Sequence, residues 1–315
     1  MTKNHILALV VLFSTACGGK GTDSSTPATS TSFNGDSAYS YARQHVAFGP
    51  RIPGTPAAEK AGDWIVAKLR TTADTVLEQR WTHTLVNGKP LPMRNIFARF
   101  KPNATERVLY VVHWDTRPFA DSDPIEANRK KPFDGANDGA SGVGLLLALA
   151  DELKKTPPSV GVDLLFVDGE DWGTFGPPDE DVLIGSEYFA KHLPSANYKP
   201  LYGILFDMIG DADLSIGQEA NSAQAAPEVV QRVWEQARAL GYGGTFTNRS
   251  IGAITDDHVP LIAAGLRVID VIDLDYGPKN SSGIGVWHHA TDDTMDKVSA
   301  KSLKMVGDVA LALVR

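Results

Sequence analysis

Carboxylates and histidines collect at the ends of short apolar runs in this chain. His113 and Asp115 directly follow 107–112 (RVLYVV), Asp168, Glu170 and Asp171 follow 162–167 (VDLLFV), and Asp207 follows 202–206 (YGILF). Runs of that length with β-branched content read as buried strands, and in open α/β sheets ligands bind beyond the carboxyl ends of the strands. Taken singly, each acid reads as a helix N-cap or a solvated loop residue. Taken together they do not, because repulsion among so many carboxylates calls for a cation. Two further segments join them. Gly135-Ala136-Asn137-Asp138-Gly139-Ala140-Ser141-Gly142 sets one acid in a Gly-rich turn at the mouth of a helix, where an N-cap is the simpler role. Trp287-His288-His289-Ala290-Thr291-Asp292-Asp293 offers two histidines and two acids. Tandem histidines in an extended loop point to opposite sides, so one ligand is expected from the pair.

Oxygen and imidazole donors without thiolate suit catalytic zinc, which takes three protein ligands and keeps one position open. Cys17 is the only cysteine, so neither an internal disulfide nor a thiolate-rich metal site can form. Serine-hydrolase chemistry lacks its nucleophile elbow, since Gly-Ala-Ser-Gly around Ser141 has the wrong spacing. No G-x-G-x-x-G follows a strand. His5, His45, His83 and His192 have no comparable company.

The elements that must position these groups alternate. Between the runs at 107–112, 162–167, 202–206 and 266–272 lie helical patterns at 140–154, 183–193 and 227–240, and 299–313 reads as a closing helix. Thr55-Pro56 ahead of Ala57, Ala61, Trp64, Ile65 and Leu69 is an N-cap, a first-turn proline and an apolar stripe. The expected fold is α/β: a single domain with a mostly parallel central sheet and helices on both faces. Composition agrees. Of 315 residues 43% are hydrophobic and 22% charged, which excludes a long disordered chain or a multi-span membrane protein. A net charge of −8 without a basic stretch disfavours nucleic acid as a partner.

Residues 1–17 (MTKNHILALVVLFSTAC) carry Lys3 and then an apolar run from Ile6 to Phe13, too short to span a bilayer but right for a signal peptide. Small residues before Cys17 resemble a bacterial lipobox, with Ser14 where Leu is usual; lipidation at Cys17 in the bacterial cell envelope, periplasmic or outer-membrane, is expected, with a plain secretory signal and an incidental cysteine as the alternative. Residues 18–33 read as a flexible Gly/Ser/Thr tether and 34–315 as the catalytic domain.

The ordered series H-W-D (113–115), G-A-N-D-G-A-S-G (135–142), D-G-E-D (168–171), I-L-F-D-M-I-G (204–210), D-D-H-V-P-L (256–261) and W-H-H-A-T-D-D (287–293) resembles the zinc aminopeptidase and glutaminyl cyclase superfamily. The likeness begins near Phe48 and implies a zinc exopeptidase-like fold acting on peptide or protein N-termini. In the aminopeptidases of that superfamily two zinc ions are held at positions matching His113, Asp138, Asp171, Asp207 and His289. In the cyclases one zinc is held at positions matching Asp138, Asp171 and His289, leaving His113 and Asp115 nearby. All five positions are filled here, so the ligands alone fit both. Asp256-Asp257-His258 and Trp287 lean towards the cyclases, where the first acid joins a hydrogen-bond network and the tryptophan walls the pocket. The resemblance then makes Glu170 the general acid and base, Asp207 and Asp256 its proton-sharing neighbours, and Trp287 and Trp172 pocket walls. Three departures stand out: Asp171 replaces a glutamate, Asp270 stands where animal enzymes carry histidine, and there are two histidines rather than one. His289 is the expected ligand because Asp293 lies four residues on. The expected activity is conversion of N-terminal glutamine to pyroglutamate, with dizinc aminopeptidase as the rival. A lipid-anchored binding protein is a third reading, opposed by the intact Glu170.

Overall fold

The computed structural model describes residues 1, 32–278 and 283–315. Cys17 and residues 2–31 of the expected signal and tether lie outside the described residues. One compact unit spans Ser32–Arg315. Phe33, assigned above to the tether, belongs to this unit. Its ring is buried against Gly307, and its N–H donates to Asp308 at 2.7 Å.

The chain opens with α1 (Gly35–Val46) and α2 (Pro56–Thr72), followed by the hairpin of β1 (Thr75–Thr84) and β2 (Pro90–Phe100). The alternating part follows: β3 (Arg107–His113), α3 (Ala140–Lys155), β4 (Gly161–Val167), α4 (Ile184–Lys191) and β5 (Tyr202–Asp207). Then come β6 (Ile216–Gln218), α5 (Ala220–Ala225), α6 (Pro227–Ala239), β7 (Phe246–Ser250), α7 (His258–Ala263), β8 (Val268–Ile272) and α8 (Ala300–Ala312). Each expected strand and helix is present within a few residues of its expected bounds. The Thr55 hydroxyl caps α2 by accepting from the Ala58 N–H, with Pro56 in the first turn.

The central sheet has the order β1-β2-β4-β3-β5-β8. Its β4, β3, β5 and β8 strands run parallel, while β1 and β2 are antiparallel additions at one edge. Sequence reasoning missed this hairpin. β1 is an edge strand, half-exposed on both faces, so it lacks the apolar run that marked the others. The signal it did carry was Asn87-Gly88, a turn pair between two extended segments. The short helix α1 and the small β6–β7 pair were missed as well.

Alternate side chains of the parallel strands feed two cores. Val108, Tyr110, Val112, Leu164 and Phe166 pack with α3 and α8 on one face, and Leu109, Val111, Leu165 and Val167 pack with Phe189 of α4 and Leu261 of α7 on the other. This period of two follows from burial of both sheet faces. From β3 the chain crosses through α3 to β4 on one side, then through α4 to β5 on the other. The strand order therefore reverses between β3 and β5, and a crevice opens at their carboxyl ends. Among the described residues, no helix is long and apolar enough to cross a membrane.

Candidate active site

His113 ends β3 and Asp207 ends the neighbouring β5, so the switch point carries both. His113 Nε2 lies 3.2 Å from Asp207 Oδ1 and 3.1 Å from Asp138 Oδ1. The other oxygen of Asp138 turns to His289, whose Nε2 is 3.5 Å from Asp138 Oδ2 and 3.1 Å from Asp171 Oδ1. Asp138 therefore stands between two donor groups: His113 with Asp207, and Asp171 with His289. Glu170 Oε2 approaches His113 Nδ1 at 3.8 Å.

The Gly-rich turn explains why Asp138 is free for this. The residue preceding α3 is Gly139 at φ 91°, and no side chain caps the helix. A Cβ at Gly139 would sit 2.7 Å from the Asp115 carbonyl, so only glycine lets the turn lie against the end of β3. The N-cap role considered for Asp138 is thus not taken. Asp256 does not cap α7 through its side chain either; its Oδ1 accepts from the Asp257 N–H at 2.5 Å.

Several side chains hold this arrangement without belonging to it. Asp115 accepts from the N–H groups of Glu170 and Asp171 at 3.2 and 3.3 Å, clamping that loop to the end of β3. Asp293 accepts from the N–H groups of Asn137 and Asp138 and from the Tyr276 hydroxyl, tying the histidine loop to the Gly-rich turn. Asp123 accepts from the Thr291 N–H and hydroxyl. Sequence reasoning missed two arginines. Arg51, fully buried, donates to the carbonyls of Asp134 and Gly135, and Arg117 donates to Asp171 Oδ1 at 3.1 Å and to Asp121. Arg51 lies in the F-G-P-R-I-P-G-T stretch (48–55) where the family likeness begins, but that stretch gave it no role, and Arg117 lies in none of the quoted motifs.

The two histidines do not diverge as expected. Their rings stack with centroids 3.6 Å apart, and both line the same cavity. The reason is local: His289 has φ 49°, so the backbone turns instead of running extended. His288 remains the more exposed of the two and makes no close approach to Asp171.

Burial sets the electrostatics. It pushes Glu170 well above the usual carboxylate range, with the Asp171 charge adding to it, and lifts Asp256 likewise with help from Asp207 and Asp257. Asp207 is also raised by burial, although His113 opposes the rise. Burial lowers a histidine, yet the carboxylates of Asp115, Asp138 and Asp207 overcome it and hold His113 well above its usual value. Asp138 is held below the usual range because His113 and His289 outweigh its burial. His288, by contrast, falls to about 3, through burial and then the neighbouring His289.

The residues present fit zinc. Asp138 Oδ2 and Asp171 Oδ2 are buried with no hydrogen-bond partner, which is costly unless a cation takes their lone pairs. Donor atoms of His113, Asp138 and Asp207, and of Asp138, His288 and His289, lie within 4.8 Å of one another. The donor set is imidazole and carboxylate throughout.

The centre opens into a cavity of about 490 Å³ lined by Glu170, Asp207, Asp256 and both histidines, with apolar walls from Phe175, Met208, Ile254, Ile272, Leu274 and Ile284. Trp287 is not among the described residues that line it. Its indole packs edge-on against Tyr276 at 5.4 Å and over Gly277, where a Cβ would lie 2.5 Å from the ring, and it faces a neighbouring cavity. Trp172 lines the adjoining groove with Arg117, Pro118 and Phe119 rather than the cavity itself.

A mixed α/β sheet whose central strands end in a cluster of histidines and carboxylates is a zinc exopeptidase-like fold. The chain belongs to peptidase family M28, whose model matches residues 95–314. It is similar to the solved structure of Porphyromonas gingivalis glutaminyl cyclase, at 42% identity and a TM-score of 0.85 over 89% of this chain and 97% of that one. It is also similar to a leucine aminopeptidase precursor from Bacteroides thetaiotaomicron, at 35% identity and a TM-score of 0.84 over 90% and 97%. Aminopeptidase YwaD of Bacillus subtilis (strain 168) is 25% identical over 272 residues, 84% of this chain, which spans only about half (54%) of that relative.

Proposed function

We propose that this protein is a zinc-dependent glutaminyl-peptide cyclotransferase, which cyclises the N-terminal glutamine of peptides to pyroglutamate and releases ammonia. The observation that supports this reading over peptide hydrolysis is Asp256. Its carboxylate is 3% exposed, keeps Oδ2 unpartnered and lines one cavity with Glu170 and Asp207. Two buried carboxylates and the half-buried Asp207 on one cavity favour sharing protons over ionising together, which suits a reaction that moves one proton out and back.

One zinc ion held by Asp138, Asp171 and His289 would supply Lewis acidity at the γ-amide oxygen. As the α-amine nitrogen bonds to the γ-carbonyl carbon, Glu170 takes the proton the amine sheds. As the carbon–nitrogen bond to the amide nitrogen breaks, Glu170 returns the proton to the leaving ammonia. Asp207 and Asp256 keep Glu170 in the range where both transfers are possible. The apolar walls at Ile254, Ile272 and Leu274 exclude bulk water from the glutamine side chain.

The rival reading, a dizinc aminopeptidase, is favoured by one observation: His113, Asp138 and Asp207 form a donor group that a single ion does not need. Glutaminyl and leucyl model substrates assayed in parallel, with a zinc count, separate the two. Cyclisation of the glutaminyl substrate with one zinc beside Asp138, Asp171 and His289 is expected, and Asp256→Ser should lower it by at least tenfold with that zinc retained. Leucyl cleavage with two zincs and no action on glutamine would replace this reading with the rival.

Export and lipid anchoring at Cys17 belong to the same proposal. A radioactive fatty acid should label the wild-type chain and miss Cys17→Ser; equal labelling of both would remove the anchor.

A further inference from the structure

Behind the wall of the cavity lies a second group of donors that shares no side chain with His113, Asp138, Asp171, Asp207 or His289. It comprises Asp256 and His258 at the start of α7 and Asp270 within β8, none more than 3% exposed. One donor atom from each lies within 4.8 Å of the others.

Glu219 orients the histidine ring. Its carboxylate accepts from the N–H groups of Asn221, Ser222 and Ile254 and from the Ser222 hydroxyl, at 2.6–3.0 Å. His258 Nε2 lies 3.2 Å from Glu219 Oε2. A carboxylate anchored by that many donors only accepts, so Nε2 carries the proton and donates it. In the neutral ring Nδ1 is then a lone pair. It is buried without a partner and faces Asp270 Oδ2 at 4.0 Å, too far for a hydrogen bond. Both Asp270 oxygens and Asp256 Oδ2 are buried without partners as well. Among the described residues no Lys or Arg forms an ion pair with any of the four. Three inward-facing lone-pair donors around a centre, with the histidine oriented by a carboxylate on its far nitrogen, is the arrangement of a metal ligand set.

We infer that Asp256, His258 and Asp270 form a further divalent-metal site, with Glu219 orienting His258. One imidazole and two carboxylates select zinc or manganese over calcium or magnesium, which prefer all-oxygen shells. Asp256 also lines the catalytic cavity, which provides the way in. The ligands of the catalytic zinc are separate from these, but Asp256 is common to this site and to the proposed proton-sharing group, so an ion held here would take its Oδ2 from that group.

The test is anomalous diffraction from crystals of the folded chain soaked in zinc or manganese chloride, with metal counts on the same protein. A peak bounded by Asp256, His258 and Asp270 is expected. Asp270→Asn should erase it and lower the count by one equivalent while the peak beside Asp138 and Asp171 persists. His289→Ala should weaken the catalytic peak and leave this one. Crystals with a loaded catalytic centre but no density at Asp270, or an unchanged count in Asp270→Asn, would overturn the site in favour of shared protons. Should Asp270→Asn fail to fold, the wild-type anomalous map alone decides.

Discussion

Glu170→Gln is expected to lower turnover by about a hundredfold or more, the range for losing a general acid and base, or about 3 kcal/mol of barrier. The substitution keeps the size of the side chain. It leaves the Glu170 N–H on Asp115, so the loop that carries Asp171 stays clamped. It removes only the proton-carrying oxygen. Burial and the Asp171 charge already push the Glu170 carboxylate far above its ordinary range, so an uncharged amide relieves repulsion inside the cluster. Thermal stability should therefore hold or rise slightly, and the zinc count should not change. Steady-state kinetics, a melting curve and a metal determination on one preparation check all three. Turnover within a few-fold of wild type would take Glu170 out of the chemistry in both the cyclase and the aminopeptidase readings, since each gives it the proton.

His289→Ala should strip the metal held with Asp138 and Asp171. The neutral donor at 3.1 Å from Asp171 and 3.5 Å from Asp138 disappears, and two buried carboxylates are left facing each other. Even a residue that only supports a ligand costs about 10- to 100-fold in affinity, so a ligand should cost more than a hundredfold. His288→Ala should change affinity by only a few-fold, since that ring stacks on His289 and makes no ion pair with Asp171. Metal titration of the two variants against wild type separates them, and the reverse order would make His288 the ligand. His113→Ala adds the count of ions. If one ion binds, it costs less than His289→Ala; if two bind, it releases one equivalent, because His113 with Asp207 is half of the second donor group.

Much of this site could be read before any fold was known, and the reason is the strand exits. A parallel strand buried on both faces reads as a nearly continuous apolar run, so the cluster of polar residues after it marks its carboxyl end. His113, Asp168, Glu170, Asp171 and Asp207 announced themselves in that way, and the order of strands and helices then implied an α/β sheet. The edge hairpin did not announce itself. Its outer strand is half-exposed on both faces, so the burial that writes a pattern into a sequence is missing there.

The tertiary structure decided what depends on backbone turns and distant neighbours. His288 and His289 share one cavity because a residue in the left-handed region breaks the alternation expected of an extended loop. Trp287 packs onto Tyr276 and Gly277, a packing choice that no local spacing encodes. Arg51 and Arg117 reach the Gly-rich turn and Asp171 from 84 and 54 residues away, so no local motif could show what they touch. Residue types and their strand positions sufficed to say that a metal centre exists and where on the sheet it lies. Which atoms face one another had to await the folded chain, because that is set by φ angles at single residues and by contacts between segments far apart in sequence.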